Sequence, residues 1–339
     1  MVHQLYSVIE TVNKTHIGLG NAMAFAIIAT KARKCLLLIS PSGCGKSVIT
    51  DILGKEHPQA LKLLSITRAA MKSYQEEFSN FQGVVLMDDM AGCGSIYERK
   101  ETLVSFAFAV YTHSISKHTF TTDFEITNFQ GSAVLNIQPS ILAEVYQYPE
   151  WESILQDKVM RYYHLYRPVK PNEKKPDFRI DWGIDKDLVA KPDRARKLYT
   201  RLEDIASVQW SDARILEHVD DLLRASAALD RRETVLQDDY LLLLKLMKPM
   251  TVERYIMTKV GFELGRWMNV NLLDVLVEFA TWKNITINRI CRDYKISPST
   301  TYRLLSEINE WFVSDQVMTK KITPKPELRR ILKEAGVER

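Results

Sequence analysis

The chain has 339 residues, 46% of them apolar, and a net charge of +4, which is enough for two or three units of ordinary domain size with packed cores and points to a soluble globular protein. The longest uninterrupted apolar stretch, Ala22 to Ala29, is too short to span a bilayer, and MVHQLYSVIE has no basic segment ahead of an apolar run. No membrane partner is expected, and the cytoplasm is the default location. Cys35, Cys44, Cys93 and Cys291 are scattered without CxxC or His spacing, which argues against a zinc site or a disulfide framework. From Lys283 to the end there are 12 Lys and Arg against 7 Asp and Glu, so the basic excess sits in the C-terminal region. A localised positive face suits either nucleic-acid binding or a solvated surface.

Residues 1 to about 30 read as helical, broken at Gly18-Leu19-Gly20, with Asn21 able to cap a helix over Ala22 to Lys31. The apolar run Cys35 to Ile39 then leads into SPSGCGKS, Ser40 to Ser47, and on to Val48-Ile49-Thr50-Asp51-Ile52-Leu53. This succession predicts a strand, a glycine-rich turn and a helix. Gly43 and Gly45 lack a Cβ, so the backbone can turn its N–H groups toward a phosphate where the helix dipole already favours negative charge. The spacing follows the Walker A pattern G-x-x-x-x-G-K-[ST], with Ser40 in place of the first glycine. Ser42, Gly43, Cys44, Gly45, Lys46, Ser47 and Val48 are therefore expected to surround nucleotide phosphates, with Lys46 on the β- and γ-phosphates and the Ser47 hydroxyl on Mg²⁺.

Ala60 to Ser65 and Thr67 to Glu77 give only short, mixed signals. The next clear element is Val84-Val85-Leu86-Met87-Asp88-Asp89, a buried-strand run ending in two acids, the Walker B pattern. Acids at the carboxyl end of a parallel strand face the P-loop. Asp88 is expected to hold Mg²⁺ through water, and Asp89 to polarise the attacking water. Asp89 is one methylene shorter than the Glu usual at that place, which makes binding a firmer expectation than fast hydrolysis. Glu101 to Thr112 reads as a helix. Ser114 to Phe120, the turn Thr121-Thr122-Asp123 and Phe124 to Thr127 read as a β-hairpin, and Gly131 to Gln138 as a strand stopped by Pro139.

The succession SPSGCGKS, VVLMDD, THSISKHTF…FEITNF and SAVLNIQP resembles the AAA+ ATPases of the group holding the minichromosome maintenance (MCM) helicases and the MoxR proteins. The resemblance implies an α/β fold: an AAA+ P-loop NTPase core over 1–172, a linker and helical lid over 173–265, and a C-terminal winged-helix domain over 266–339. It implies ATP and Mg²⁺ as ligands, and a ring, most simply a hexamer, acting on DNA. Lys117 falls on the hairpin lysine that touches DNA in the ring channel. Sensor 1 is Asn136 or, counting back from Pro139, Gln138. The residues two apart share a strand face, and Asn136 is favoured. Arg161, ahead of YYHLYRP, is the candidate arginine finger for the neighbouring subunit, with Lys158 as the alternative register.

PVKPNEKKPDFRIDWGIDKDLVAK, Pro168 to Lys191, reads as a linker, and Pro192 to Val208 and Ser211 to Leu229 as helices, the second with Ser211 able to cap it. SDARILEHVDDLLRASAALDRRETVLQDDYLLLLKL resembles the lid of the same group, which makes Arg214 the sensor 2 arginine reaching the phosphates of its own chain. Asn271 to Trp282 reads as an amphipathic helix. Thr286 to Tyr294, the turn Lys295 to Pro298 and Ser299 to Trp311 form a helix-turn-helix pattern, with Thr300, Thr301 and Arg303 where a recognition helix meets DNA and Lys320, Lys321 and Lys325 where a wing would follow. Two other functions fit the same residues: an ATP-switched initiator or loader, and a MoxR-like protein remodeller.

Overall fold

The computed structural model describes residues 3–40, 43–64, 66, 70–118, 123–145, 155–164 and 174–253, and towards the C-terminus 285–294, 297–299, 301–302, 312–315, 321–324, 326, 329–330 and 333. Two helices open the chain, α1 (Gln4–Thr15) and α2 (Gly20–Lys31). The turn between them is stapled by Asn13, whose Oδ1 accepts from the backbone N–H of both Gly18 and Gly20 at 3.0 Å. Asn21 lies inside α2 and does not cap it; the N-cap position is Leu19.

A five-stranded parallel sheet follows. Its strands are β1 (Cys35–Ile39), β2 (Ala60–Leu63), β3 (Val84–Met87), β6 (Ser132–Ile137) and β7 (Val159–Tyr163), in the order β2-β3-β6-β1-β7. The P-loop strand β1 is therefore flanked by β6 and β7, and β6 separates it from the acid-bearing β3. The register pairs Leu38 with Asn136 and Ile39 with Ile137 and Tyr163. Helix α3 (Lys46–Glu56) leaves the glycine turn, short helix α4 (Gln75–Phe78) precedes β3, and α5 (Ile96–Thr112) starts at a Ser95/Glu98 capping box. The hairpin β4 (Ile115–His118) and β5 (Asp123–Ile126) stands outside the main sheet, and α6 (Pro139–Val145) follows β6.

The inner strands are covered on both faces, and β1 and β3 are accordingly apolar and buried throughout rather than alternating. Cys35, Leu37 and Ile39 point into a cluster with α5 and the hairpin residues Phe124 and Ile126. Leu36 and Leu38 point into a second cluster, which runs continuously through α1, α2, α3 and the helices α7 (Lys197–Ala206), α8 (Asp212–Leu229) and α9 (Gln237–Met247). The helical segment thus shares an interior with the nucleotide-strand layer. Ser211 is the N-cap of α8, yet its hydroxyl donates to Asp157 at 2.9 Å instead of accepting from the helix.

Near the C-terminus, β8 (Ile285–Thr286), α10 (Ile287–Tyr294), β9 (Phe312–Asp315) and β10 (Lys321–Pro324) form a small unit whose antiparallel sheet has the order β8-β10-β9. The helix expected over 271–282 lies outside the described residues.

Candidate functional site: the carboxyl edge of the parallel sheet

Ser40 to Ser47 leave the carboxyl end of β1, with Gly43 at φ 78° and Gly45 at φ 84°, left-handed conformations that glycine adopts freely. A Cβ on Gly45 would also sit 3.2 Å from the Leu19 side chain of the α1–α2 turn. Lys46 is buried and turns back to donate to the Ser40 carbonyl, while Ser47 is exposed at the start of α3.

Asp88 and Asp89 follow β3 on this same edge, and each acid has its own amide. Asn136 donates to Asp88 Oδ1 at 3.2 Å from near the end of strand β6, and Gln138, just past it, donates to Asp89 Oδ2 at 3.4 Å. Asp88 is fixed from a second side by Thr50 of α3, whose hydroxyl donates to the same oxygen at 2.8 Å. Asn136 is fully buried, and its Oδ1 has no hydrogen-bond partner among the described residues. Such an orphaned acceptor beside a carboxylate and a glycine turn suits a site completed by a ligand.

The arrangement fits Mg²⁺ and a polyphosphate. The available donors are hard oxygens, Ser47, Thr50 and Asp88, and Mg²⁺ takes few protein ligands beside phosphate and water. Among the described residues no group of three His, Cys, Asp or Glu could hold a metal.

His164 reaches the site from the other side of β1. It directly follows β7; its backbone N–H donates to Ile39 O at 2.8 Å, and its Nε2 lies 3.0 Å from the Cys44 carbonyl within the glycine turn. Neither Thr50 nor His164 carried a signal in sequence. Thr50 is marked only by being one turn past Ser47, and His164 only by the β1–β7 pairing.

Arg161 is not a finger. It is fully buried on β7, its Nε 2.8 Å from both carboxylate oxygens of Glu253, and Tyr163 donates to the same carboxylate at 2.9 Å. Its remaining N–H groups go to the carbonyls of Gln156, Val159 and Gln209. The Gln209 side chain pairs with the Arg161 backbone in both directions, closing the free edge of β7 as a neighbouring strand would. A guanidinium so placed cannot extend to another molecule.

Arg214 also departs from expectation. It pairs with Glu217 at 2.6 Å and stacks 4.2 Å from the centroid of Tyr111, and Glu217 in turn meets Lys34, the residue before β1. Lys34 and Ser40 are separated by the length of β1, about 20 Å at ~3.3 Å per residue. Arg214 therefore stands at the amino edge of the sheet and cannot reach its own chain's glycine turn. Lys158 stands there too, with its ammonium 5.4 Å from the same Tyr111 ring and 5.1 Å from Phe108; burial and the nearby Arg214 charge lower its pKa. Lys158 lines a cavity of about 210 Å³ with Tyr111, Lys34, Glu217, His218 and Asp221.

Lys117 occupies the hairpin position opposite Phe124. Thr301 is corrected: it is buried, and its hydroxyl donates to Ser297 O at 3.1 Å, so it faces the interior of the C-terminal unit rather than a ligand. Ser42, Thr300 and Arg303 lie outside the described residues. Compared with known proteins, the chain matches no family model and no curated sequence, so its functional reading rests on its own residues.

Proposed function

We propose that the protein is an ATP-binding and ATP-hydrolysing AAA+ protein of the MCM/MoxR kind that acts on DNA as a ring. The observation that carries this reading is the meeting, at one sheet edge, of the glycine turn after β1 and the acids after β3, with Asn136 of the intervening β6 holding Asp88. In the reading, Lys46 and the turn amides bind the phosphates, and Ser47 and Asp88 hold Mg²⁺, which when bound draws charge off the transferring phosphoryl oxygens. Asp89 orients the attacking water, steadied by Gln138.

The far edge completes the site in the next subunit. Lys158 and Arg214 sit together at the amino ends of the strands, where a head-to-tail neighbour would present its glycine turn to them. The small C-terminal unit, with α10, helical residues Pro298–Ser299 and the β8-β10-β9 sheet, supports a winged helix on duplex DNA. A switch-like initiator is favoured by one feature, the shortness of Asp89 where a longer acid would be expected in a fast ATPase.

The test is ATP turnover with no DNA, with single strands and with duplex, across salt concentrations, because phosphate contacts are salt-sensitive. A motor shows turnover stimulated by DNA and lost in Lys117→Ala. Slow turnover with ATP-dependent duplex binding supports the switch instead, and indifference to DNA overturns the DNA reading in favour of a protein remodeller.

A further inference from the structure

The hydrogen bond between His164 and Cys44 lies where the glycine turn is most pliable. Cys44 is flanked by Gly43 and Gly45, both at positive φ, and glycine crosses between left- and right-handed conformations at little cost. The 44–45 peptide can therefore present either its carbonyl or its N–H to the inside of the turn. A carbonyl takes hydrogen bonds and cannot give them, so His164 Nε2 carries the proton and donates at 3.0 Å. His164 is only 4% exposed, so water does not compete for that bond. A trans peptide points its N–H opposite its C=O. Holding the Cys44 carbonyl toward β7 sends the Gly45 N–H the other way.

The ring is itself well fixed. His164 is the first residue past β7, its backbone N–H bonded to Ile39 O, and Ser40 is pinned on the opposite side by its N–H to Ile137 O at 3.3 Å. Both neighbours of β1 thus grip the turn, β6 at its first residue and β7 at its middle. We propose that His164 is a positioning residue for phosphate binding, which locks the 44–45 peptide so that the Gly45 N–H faces the phosphates and the Cys44 carbonyl does not. The inference rests on the nucleotide reading. In the unlocked turn a flipped peptide sets a carbonyl dipole against the anionic phosphates, and binding first has to reverse it.

Calorimetric titration of the full chain with MgATP, pyrophosphate and adenosine tests this in wild type, His164→Leu, His164→Gln and Lys46→Ala. The expected result is about tenfold weaker binding of both MgATP and pyrophosphate by His164→Leu, with adenosine unaffected and with His164→Gln, which keeps an N–H donor, within about twofold of wild type. Should His164→Leu fail to fold, His164→Met against His164→Gln makes the same comparison of matched side chains with and without a donor. Wild-type affinity in the donorless variant, or equal weakening by Gln, overturns the positioning role. A wild-type chain that binds no nucleotide, or a Lys46→Ala variant that binds as well as wild type, overturns the nucleotide reading and this inference with it. Loss in Lys46→Ala alone overturns only the role of His164.

Discussion

At the carboxyl ends of the parallel strands two amides and a hydroxyl turn on two acids, Lys46 folds back onto the Ser40 carbonyl, and Ser47, Gly43 and Asp89 remain exposed. At the amino ends the groups are charged and mostly answered by one another. Lys34 meets Asp221 at 2.6 Å and Glu217 at 3.4 Å, Lys186 meets Asp221 at 3.0 Å, and Arg33 meets Asp185 and Asp187 at 2.8 Å each. Burial works against ionisation of Asp221, but the two lysines outweigh it and hold its carboxyl below the usual range. The first edge is an arrangement that a ligand can finish. The second ties the helical segment to the sheet, and at its border Lys158 and Arg214 share one tyrosine ring, with Arg214 paired to Glu217 at 2.6 Å. Charge density alone does not mark a site; what matters is whether the charges already have their counterparts.

Arg161 gives the sharpest test of that distinction, with the largest expected effect. Arg161→Met leaves the Glu253 carboxylate buried without its cation, which should cost about 3–5 kcal/mol of stability in urea unfolding. Replacing both partners, Arg161→Met with Glu253→Leu, should recover most of that loss, because no lone charge stays behind. A single variant as stable as wild type that instead abolishes turnover would return Arg161 to the role of a finger.

The amino edge should also be the pH-sensitive one. His218 is buried there at 1% exposure, its Nε2 3.0 Å from Asp157 O and its ring 4.4 Å from Trp210. Burial, and after it the Lys34 charge, push its pKa down to about 3. Above the ordinary value of about 6.5 the folded and unfolded chains are both neutral at this residue and its contribution is complete. As pH falls below that value the unfolded chain takes up a proton that the folded chain refuses, and stability declines until the folded pKa is reached. The drop between pH 7 and pH 5 should be about 2 kcal/mol. His57, lowered to about 4 by burial, adds to the same slope. His218→Gln keeps a donor for the Asp157 carbonyl and cannot titrate, so it should flatten the His218 share of the decline. An unchanged slope would place the titration elsewhere.

The same contrast explains what could be read in the sequence. The glycine turn, the VVLMDD strand, the hairpin and the helix of α8 are local patterns, and each appears where the period and turn residues put it. The choice between Asn136 and Gln138 could not be made from spacing, and the structure gives each a separate acid. Arg161 and Arg214 were misplaced because nothing near either of them in sequence names its partner. Glu253 lies 92 residues from Arg161, and the Tyr111 ring that receives Arg214 belongs to a different layer of the fold. His164 needed the strand order itself, since only the pairing of β7 with β1 brings it to Cys44. Asn21 and Ser211 had the right chemistry for caps, yet Asn13 and Asp157 supplied competing partners for the turns they would have capped.

The smallest expected effect on the single chain concerns Lys158 and Arg214, and it separates a site within one chain from a site between two. Because Arg214 stands at the amino edge of the sheet, with β1 between it and the glycine turn of its own chain, Arg214→Ala should change that chain's ATP affinity by less than about 0.5 kcal/mol. Turnover in the assembly should nevertheless fall about tenfold, or ~1.4 kcal/mol in the barrier, if the guanidinium serves the neighbour's phosphates. Mixing two variants tests this directly. An Arg214→Ala chain retains its glycine turn, and a Lys46→Ala chain retains its Arg214, so neighbours of the two kinds can form an intact site where the one presents its turn to the other. In an equal mixture about a quarter of head-to-tail contacts have that composition, and turnover should rise to about that fraction, above the roughly one tenth kept by Arg214→Ala alone and the near-absence in Lys46→Ala alone. If Arg214 works only through its ion pair with Glu217 and its stack on Tyr111, the mixture stays as inactive as its parts, and the amino edge is structural from end to end.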